Sequence, residues 1–173
     1  MDLAVRGGLM GGTPAVFATN TLVVIAREDA PIANLYDLAQ PGLQILLANP
    51  AVPAGAYARE AIHRMGDHAD YGRAFSEGVT GNIVSLEASV RGVLGKVVLG
   101  EADAGFVYIT DALAAPQGFS IFPLPEAQTP TATYPVAVVR GSEESDLAVG
   151  FLEFLLGDEG QSILQSYGFG VPE

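Results

Sequence analysis

Apolar residues recur along the chain in three patterns, and each predicts a different element. Continuous, β-branched runs at TLVVIA (21–26) and LQILLA (43–48) predict strands buried on both faces. AGFVYI (104–109), the shorter FSIFPL (119–124) and YPVAVV (134–139) predict three more strands. The second pattern is helical. Val90, Val93, Leu94, Val97 and Val98 follow i, i+3, i+4, i+7, i+8 spacing, with Gly100 just past the end as a stop. Tyr57, Ala58, Ala61, Ile62 and Met65 also recur at helical spacing, and Gly66 follows as a C-terminal stop. NLYDLAQPG, between the first two strands, predicts a short helix ended by Pro41 and Gly42, and residues 67–84 are polar and read as irregular.

The two ends differ from this interior. Residues 1–18 carry four glycines and a proline around a few apolar residues, the pattern of a helix tail followed by a turn. Near the other end Leu147, Phe151, Leu152 and Leu155 form one apolar stripe, and Asp158 with Gln161 fits a capping-box-like start to a final helix holding Ile163, Leu164 and Tyr167. Strands alternating with helices predict an α/β fold with a mainly parallel sheet flanked by helices. At 173 residues, 49% hydrophobic and 16% charged, the chain can bury a substantial core.

Charge and composition remove several function classes. The net charge of −12 repels nucleic acid and anionic membrane surfaces, and no nucleic-acid partner is expected. Without cysteine there is no disulfide framework, thiolate metal site or thiol nucleophile. No apolar run reaches the roughly 18 residues of a membrane span, and no basic-then-apolar export signal follows Met1.

The candidate chemistry lies where strands give way to helices. In ANPAVPAGAYAREAI (48–62) a strand runs into a Pro-Ala-Gly turn that opens a helix, so backbone N–H groups near Ala54 and Gly55 face the strand's carboxyl end. A second helix opens at Ser89 and Val90, and Tyr108 ends another strand. Taken singly, these are a turn, an N-cap and a packed tyrosine. Together they make a recess of neutral donors, which suits an oxyanion. His63, Asp67, His68 and Asp70 carry metal-ligand chemistry, but the five-residue histidine spacing sets the rings on different helix faces, and no metal site is expected. GGLMGG lacks a preceding strand for a phosphate loop, and Ser142–Asp146 reads as a solvated helix start. No serine sits in a G-x-S-x-G elbow and no histidine has a base's setting, so no enzyme activity is expected.

FATNTLVVIA, DLAQPGLQILLANPAVPAGAYAREAI, SVRGVLGKVVLGEADAGFVYITDAL, YPVAVV and FLLGDEGQSILQSYGF resemble, in order and wording, the bacterial periplasmic molybdate-binding proteins, solute receptors of molybdate ABC transporters. The resemblance implies a type II periplasmic-binding-protein-like fold: two α/β lobes joined by crossover strands, holding molybdate or tungstate between them with no cofactor and no counter-cation. The ligand contacts it implies here are the amides of Ala54 and Val90 and the hydroxyl of Tyr108, with Arg91 nearby but assigned no charge-pairing role. It implies a permease partner and a periplasmic or membrane-anchored extracytoplasmic setting.

In that frame residues 1–20 are a remnant of an incomplete first lobe, 21–135 the second lobe, and 136–173 a return strand and helices belonging to the first. The family's signal segment and two serine-bearing turns have no counterpart in the chain. Three retained contacts at about 1.5–3 kcal/mol each, against an association cost of roughly 4–15 kcal/mol, lead to an expectation of weak binding by this span alone. The stripe with Phe151, Leu155 and Leu164 could then drive homo-oligomerisation or a swapped dimer. Two alternatives stay open: another tetrahedral anion such as sulfate, and an effector-sensing domain of a regulator, although no basic helix-turn-helix segment is present.

Overall fold

The computed structural model of the chain describes residues 2–115 and 117–172. The elements run α1 (Asp2–Arg6), β1 (Ala15–Asn20), β2 (Leu22–Arg27), a 3-10 turn (Leu35–Ala39), β3 (Ile45–Ala48), α2 (Pro53–Asp67), α3 (Gly72–Gly81), β4 (Ile83–Glu87) and α4 (Val90–Val98). They continue with β5 (Ala104–Tyr108), α5 (Ile109–Ala114), β6 (Phe119–Pro123), a 3-10 turn (Glu126–Gln128), β7 (Ala132–Val136), α6 (Ser145–Leu156) and α7 (Asp158–Ser166). They divide into two units, Thr21–Thr131 and the pair of segments Met1–Asn20 with Ala132–Glu173.

In the Thr21–Thr131 unit a five-stranded sheet has the order β4-β3-β5-β2-β6. β3 runs parallel to β4 and β5, whereas β2 is antiparallel to β5 and β6. The sheet is therefore mixed, where the sequence led to a mainly parallel one. The reason is physical: β2 is buried on both faces from Leu22 to Ala26, and a run buried on both faces carries no mark of its direction. Val24, Ile25, Leu47 and Val107 meet Ala58, Met65, Val79, Val93 and Val97 of the helices in one apolar core. Each large side chain there contributes about 1.5–3 kcal/mol by leaving water.

Residues 67–84, read from sequence as irregular, hold α3 and the start of β4. The helix escaped notice because GRAFSEGVTG carries three glycines and buries only Phe75 and Val79, while β4 is an edge strand with Val84 and Leu86 exposed. Gly66 does not stop α2, which runs on to Asp67. Its missing Cβ instead lets α3 pack close, since a methyl there would strike the Ser76 side chain. NLYDLA forms a 3-10 turn, capped by Asn34 Oδ1 accepting from the Tyr36 amide and by Asp37 accepting from the Asn34 amide. Asn82, buried, donates to the carbonyls of Leu38 (2.8 Å) and Gln40 (2.7 Å) and ties that turn to the end of α3.

In the other unit β1 pairs antiparallel with β7, and Tyr134 meets Phe169 edge to face and Phe17 at a tilt beside the pair. α6 packs on α7 yet buries none of its own residues. The capping box expected at Asp158 and Gln161 is absent: Gly157 is the N-cap, and the Gln161 side chain donates through Nε2 to the carbonyls of Phe17 (2.8 Å) and Leu155 (2.9 Å). Among the described residues no helix is long and apolar enough to cross a membrane.

Candidate functional site

Ala54, Val90 and Tyr108 all fall in the Thr21–Thr131 unit, and topology gathers them. β4, β3 and β5 are adjacent and parallel, so their carboxyl ends lie along one sheet edge. β3 feeds α2 through residues 49–52, β4 feeds α4 through Ala88 and Ser89, and β5 ends at Tyr108, the N-cap of α5. Three chain turns thus open beside one another at this edge, the place where open α/β sheets collect ligands.

The first turn can be accounted for one amide at a time. Asn49 donates to Glu87 O (2.8 Å), Ala51 to Asn49 Oδ1 (3.0 Å) and Val52 to Asn49 O (2.8 Å). Gly55 (2.9 Å) and Ala56 (3.1 Å) both donate to Val52 O. Pro50 and Pro53 have no N–H. Ala54 is the one amide from 49 to 56 without an acceptor among the described residues, and Ala54 is buried. The sequence reading took Gly55 as a second donor; the structure corrects this, because its N–H is spent on Val52 O. Gly55 matters for its size, since a Cβ there would collide with the carbonyls of Ala48 and Asn49.

The second turn follows the same logic. Ser89 is an extended N-cap whose Oγ accepts from Gly92 N (3.2 Å), and its carbonyl accepts from Gly92 and Val93 (3.1 and 3.3 Å). The Val90 and Arg91 amides, ahead of the first intrahelical bond, have no acceptor among the described residues. α2 and α4 are 15 and 9 residues long, so each N-terminus carries the partial positive charge of a helix dipole. Tyr108 is half-buried at the end of its strand, paired in register with Leu22 of β2.

The charged groups at this edge are largely compensated. Glu87, ending β4, sits 2.8 Å from the Lys96 ammonium and accepts from Ser85 Oγ (2.8 Å), and these two contacts hold its carboxyl below the usual range. Burial raises the Asp111 carboxyl above its ordinary value, with Arg91 pulling the other way. Sequence reasoning missed Asn49, whose side chain shapes the first turn; its Asn-Pro dipeptide was the available signal. It also missed the Glu87–Lys96 pair, which spans an unrecognised strand and leaves no local pattern.

The remaining candidates are engaged elsewhere. His63 Nδ1 lies 3.2 Å from Asp67 and His68 Nδ1 lies 3.6 Å from Asp70, all well exposed. Among the described residues no group of three or more His, Asp or Glu side chains is placed to hold a metal ion.

Against known proteins, residues 1–170 match the family model described as bacterial extracellular solute-binding protein. A curated relative, the molybdate-binding protein ModA of Mycobacterium bovis, is 36% identical over 99% of this chain. The chain spans 62% of that relative's length. Among solved structures, the substrate-binding domain of a molybdenum ABC transporter from Clostridium difficile superposes with a TM-score of 0.83 at 28% identity, over 100% of this chain and 73% of that one. The periplasmic molybdate-binding protein of Azotobacter vinelandii gives a TM-score of 0.77 at 19% identity, over 99% of this chain and 74% of that one, a likeness of fold.

Proposed function

The chain belongs to the bacterial extracellular solute-binding proteins, and from that premise we propose that it captures molybdate for delivery to an ABC transporter. The names of the Mycobacterium bovis and Clostridium difficile proteins support the ligand. The observation that carries the reading is the Ala54 amide: buried, without an acceptor among the described residues in a turn that spends its neighbouring N–H groups, and set at the same sheet edge as the Val90 amide and Tyr108.

In this reading Ala54 and Val90 donate N–H to two oxygens of the dianion, and the Tyr108 hydroxyl donates to a third. Each hydrogen bond to a charged ligand is worth about 1.5–3 kcal/mol. Two helix dipoles supply the compensating charge that a lysine or arginine would otherwise provide. Fixed dipoles suit a receptor that must release its cargo, because they hold the anion without a mobile counter-ion that would have to be removed at hand-over. Tungstate, of the same shape and charge, binds alongside molybdate in this account. The protein binds its ligand without converting it, works outside the cytoplasm, and hands the anion to a membrane permease. In this account residues 21–131 make up one lobe of the receptor, while residues 1–20 and 132–173 belong with the other, because β7 pairs with β1.

A competition thermal-shift measurement on full-length protein with molybdate, tungstate, sulfate and phosphate tests the reading. Molybdate and tungstate raise the melting temperature at concentrations where sulfate and phosphate do not. A larger shift from sulfate would overturn the choice of ligand, and no shift from any of the four would overturn oxyanion capture.

A further inference from the structure

Residue 87 stands between the two donor turns. Its carbonyl accepts the Asn49 amide (2.8 Å), which fastens the turn before α2 to the end of β4, two residues ahead of the α4 N-cap. Its side chain, 13% exposed, folds back over the first turn of α4, where a Cβ added to Gly92 would lie 3.4 Å from Glu87 Cβ and 3.7 Å from Oε2. Gly92 is two residues from Val90, so a carboxylate is kept beside the same helix start whose amides are offered to the ligand.

This is a costly place for a negative charge in an anion receptor. A helix N-terminus attracts any nearby anion, so Glu87 and an incoming dianion draw on one dipole and repel each other. The charge is compensated from within α4 itself. Lys96 Nζ lies 2.8 Å from Glu87 Oε1, and Ser85 Oγ donates to the same oxygen (2.8 Å). Gly92 and Lys96 are four residues apart and share a helix face, so the glycine leaves the carboxylate a path to the ammonium.

We propose that the Glu87–Lys96 pair sets the strength of oxyanion capture: Glu87 is a resident competitor for the α4 N-terminus, and Lys96 neutralises it so that the ligand meets little net charge there. The inference rests on oxyanion capture at this sheet edge. The pair is neutral as a unit, but neither partner alone is. Baring the lysine favours the dianion and baring the glutamate disfavours it, so the two single substitutions act in opposite directions. A purely structural role would make both act in the same direction.

The test is calorimetry with sodium molybdate on full-length protein near neutral pH, at low and at high sodium chloride. Glu87→Gln, which keeps an acceptor oxygen for Ser85 and Lys96, binds about three- to tenfold more tightly, and Lys96→Met, which keeps the apolar stem, about three- to tenfold more weakly. The double variant returns to within about twofold of the unmutated protein, and both single differences shrink in high salt. Arg64→Met removes the same charge as Lys96→Met, about 15 Å along α2 from Ala54, and shifts affinity by less than about twofold. Weaker binding in both single variants, a double variant as weak as Lys96→Met, differences unchanged by salt, or an equal loss in Arg64→Met would each overturn the inference while leaving oxyanion capture in place. No binding of molybdate by the unmutated protein would overturn oxyanion capture and this inference with it. Glu87→Gln decides the sign even if Lys96→Met folds poorly.

Discussion

The two units of this chain spend their apolar residues differently. In Thr21–Thr131, β2 and β3 are buried along almost their whole length, and α2, α3 and α4 each turn a buried stripe onto the core. In the other unit α6 buries nothing: Leu147 is 71% exposed and Phe151 57%, and on the neighbouring α7 Ile163 is 47% exposed. Both stretches show helical apolar spacing in sequence. The pattern therefore fixes the helix and its apolar side, while burial depends on what else the chain brings to that side. All three candidate ligand residues lie in the unit with the complete core, as expected for a site built on backbone amides whose positions must not drift.

The largest expected contrast is in core truncation. Leu47→Ala, in a fully buried strand, lowers the unfolding free energy by about 2–5 kcal/mol, whereas Phe151→Ala changes it by about 0.5 kcal/mol or less. Urea titration with probes in each unit checks this, and a large loss from Phe151→Ala would show that α6 is covered in solution, as dimerisation through that face would do. Next comes Asn82→Ala, which strands two carbonyls beneath the 3-10 turn and costs about 1–3 kcal/mol. Native-state hydrogen exchange should resolve the same difference without mutation, with β2, β3 and β5 amides exchanging far more slowly than those of α6.

The smallest effect is electrostatic. Glu87 has its carboxyl held below the ordinary value by Lys96 and Ser85, so its contribution is fully present above the unfolded carboxyl's range and is lost as pH falls through the lowered native value. Lys96, raised by the same pair, contributes below the unfolded amine's range and ceases to as pH climbs past its raised value. Lys96→Met should thus cost stability at neutral pH and nothing in strong acid, a difference readable as convergence of the two melting curves on acidification.

Much of this contrast was legible beforehand, for physical reasons that also mark its limits. Continuous apolar runs announced β2, β3 and β5, and the valine spacing with Gly100, at φ +79°, announced α4 and its end. The turn before α2 was legible because proline and glycine constrain backbone directly. What escaped was set by partners distant in sequence. The antiparallel sense of β2 depends on β5 and β6, α3 depends on the Ser76 approach to Gly66, and the Gln161 side chain finds the Phe17 carbonyl 144 residues away. The Ala54 amide was expected as a donor, but not as the one amide of its turn without an acceptor among the described residues. That needed the hydrogen bonds of Asn49, which no periodicity reports.

The most direct test of neutral amide capture is a pair of substitutions at Val90 in full-length protein, read by calorimetry with molybdate. Val90 is the first helical residue after an extended Ser89, a position where proline fits, so Val90→Pro removes one N–H while Val90→Ala keeps it. The account predicts that Val90→Ala binds within a few-fold of the unmutated protein, and that Val90→Pro loses about 10- to 150-fold, the equivalent of one charge-assisted hydrogen bond. Equal affinity in the two variants would contradict it.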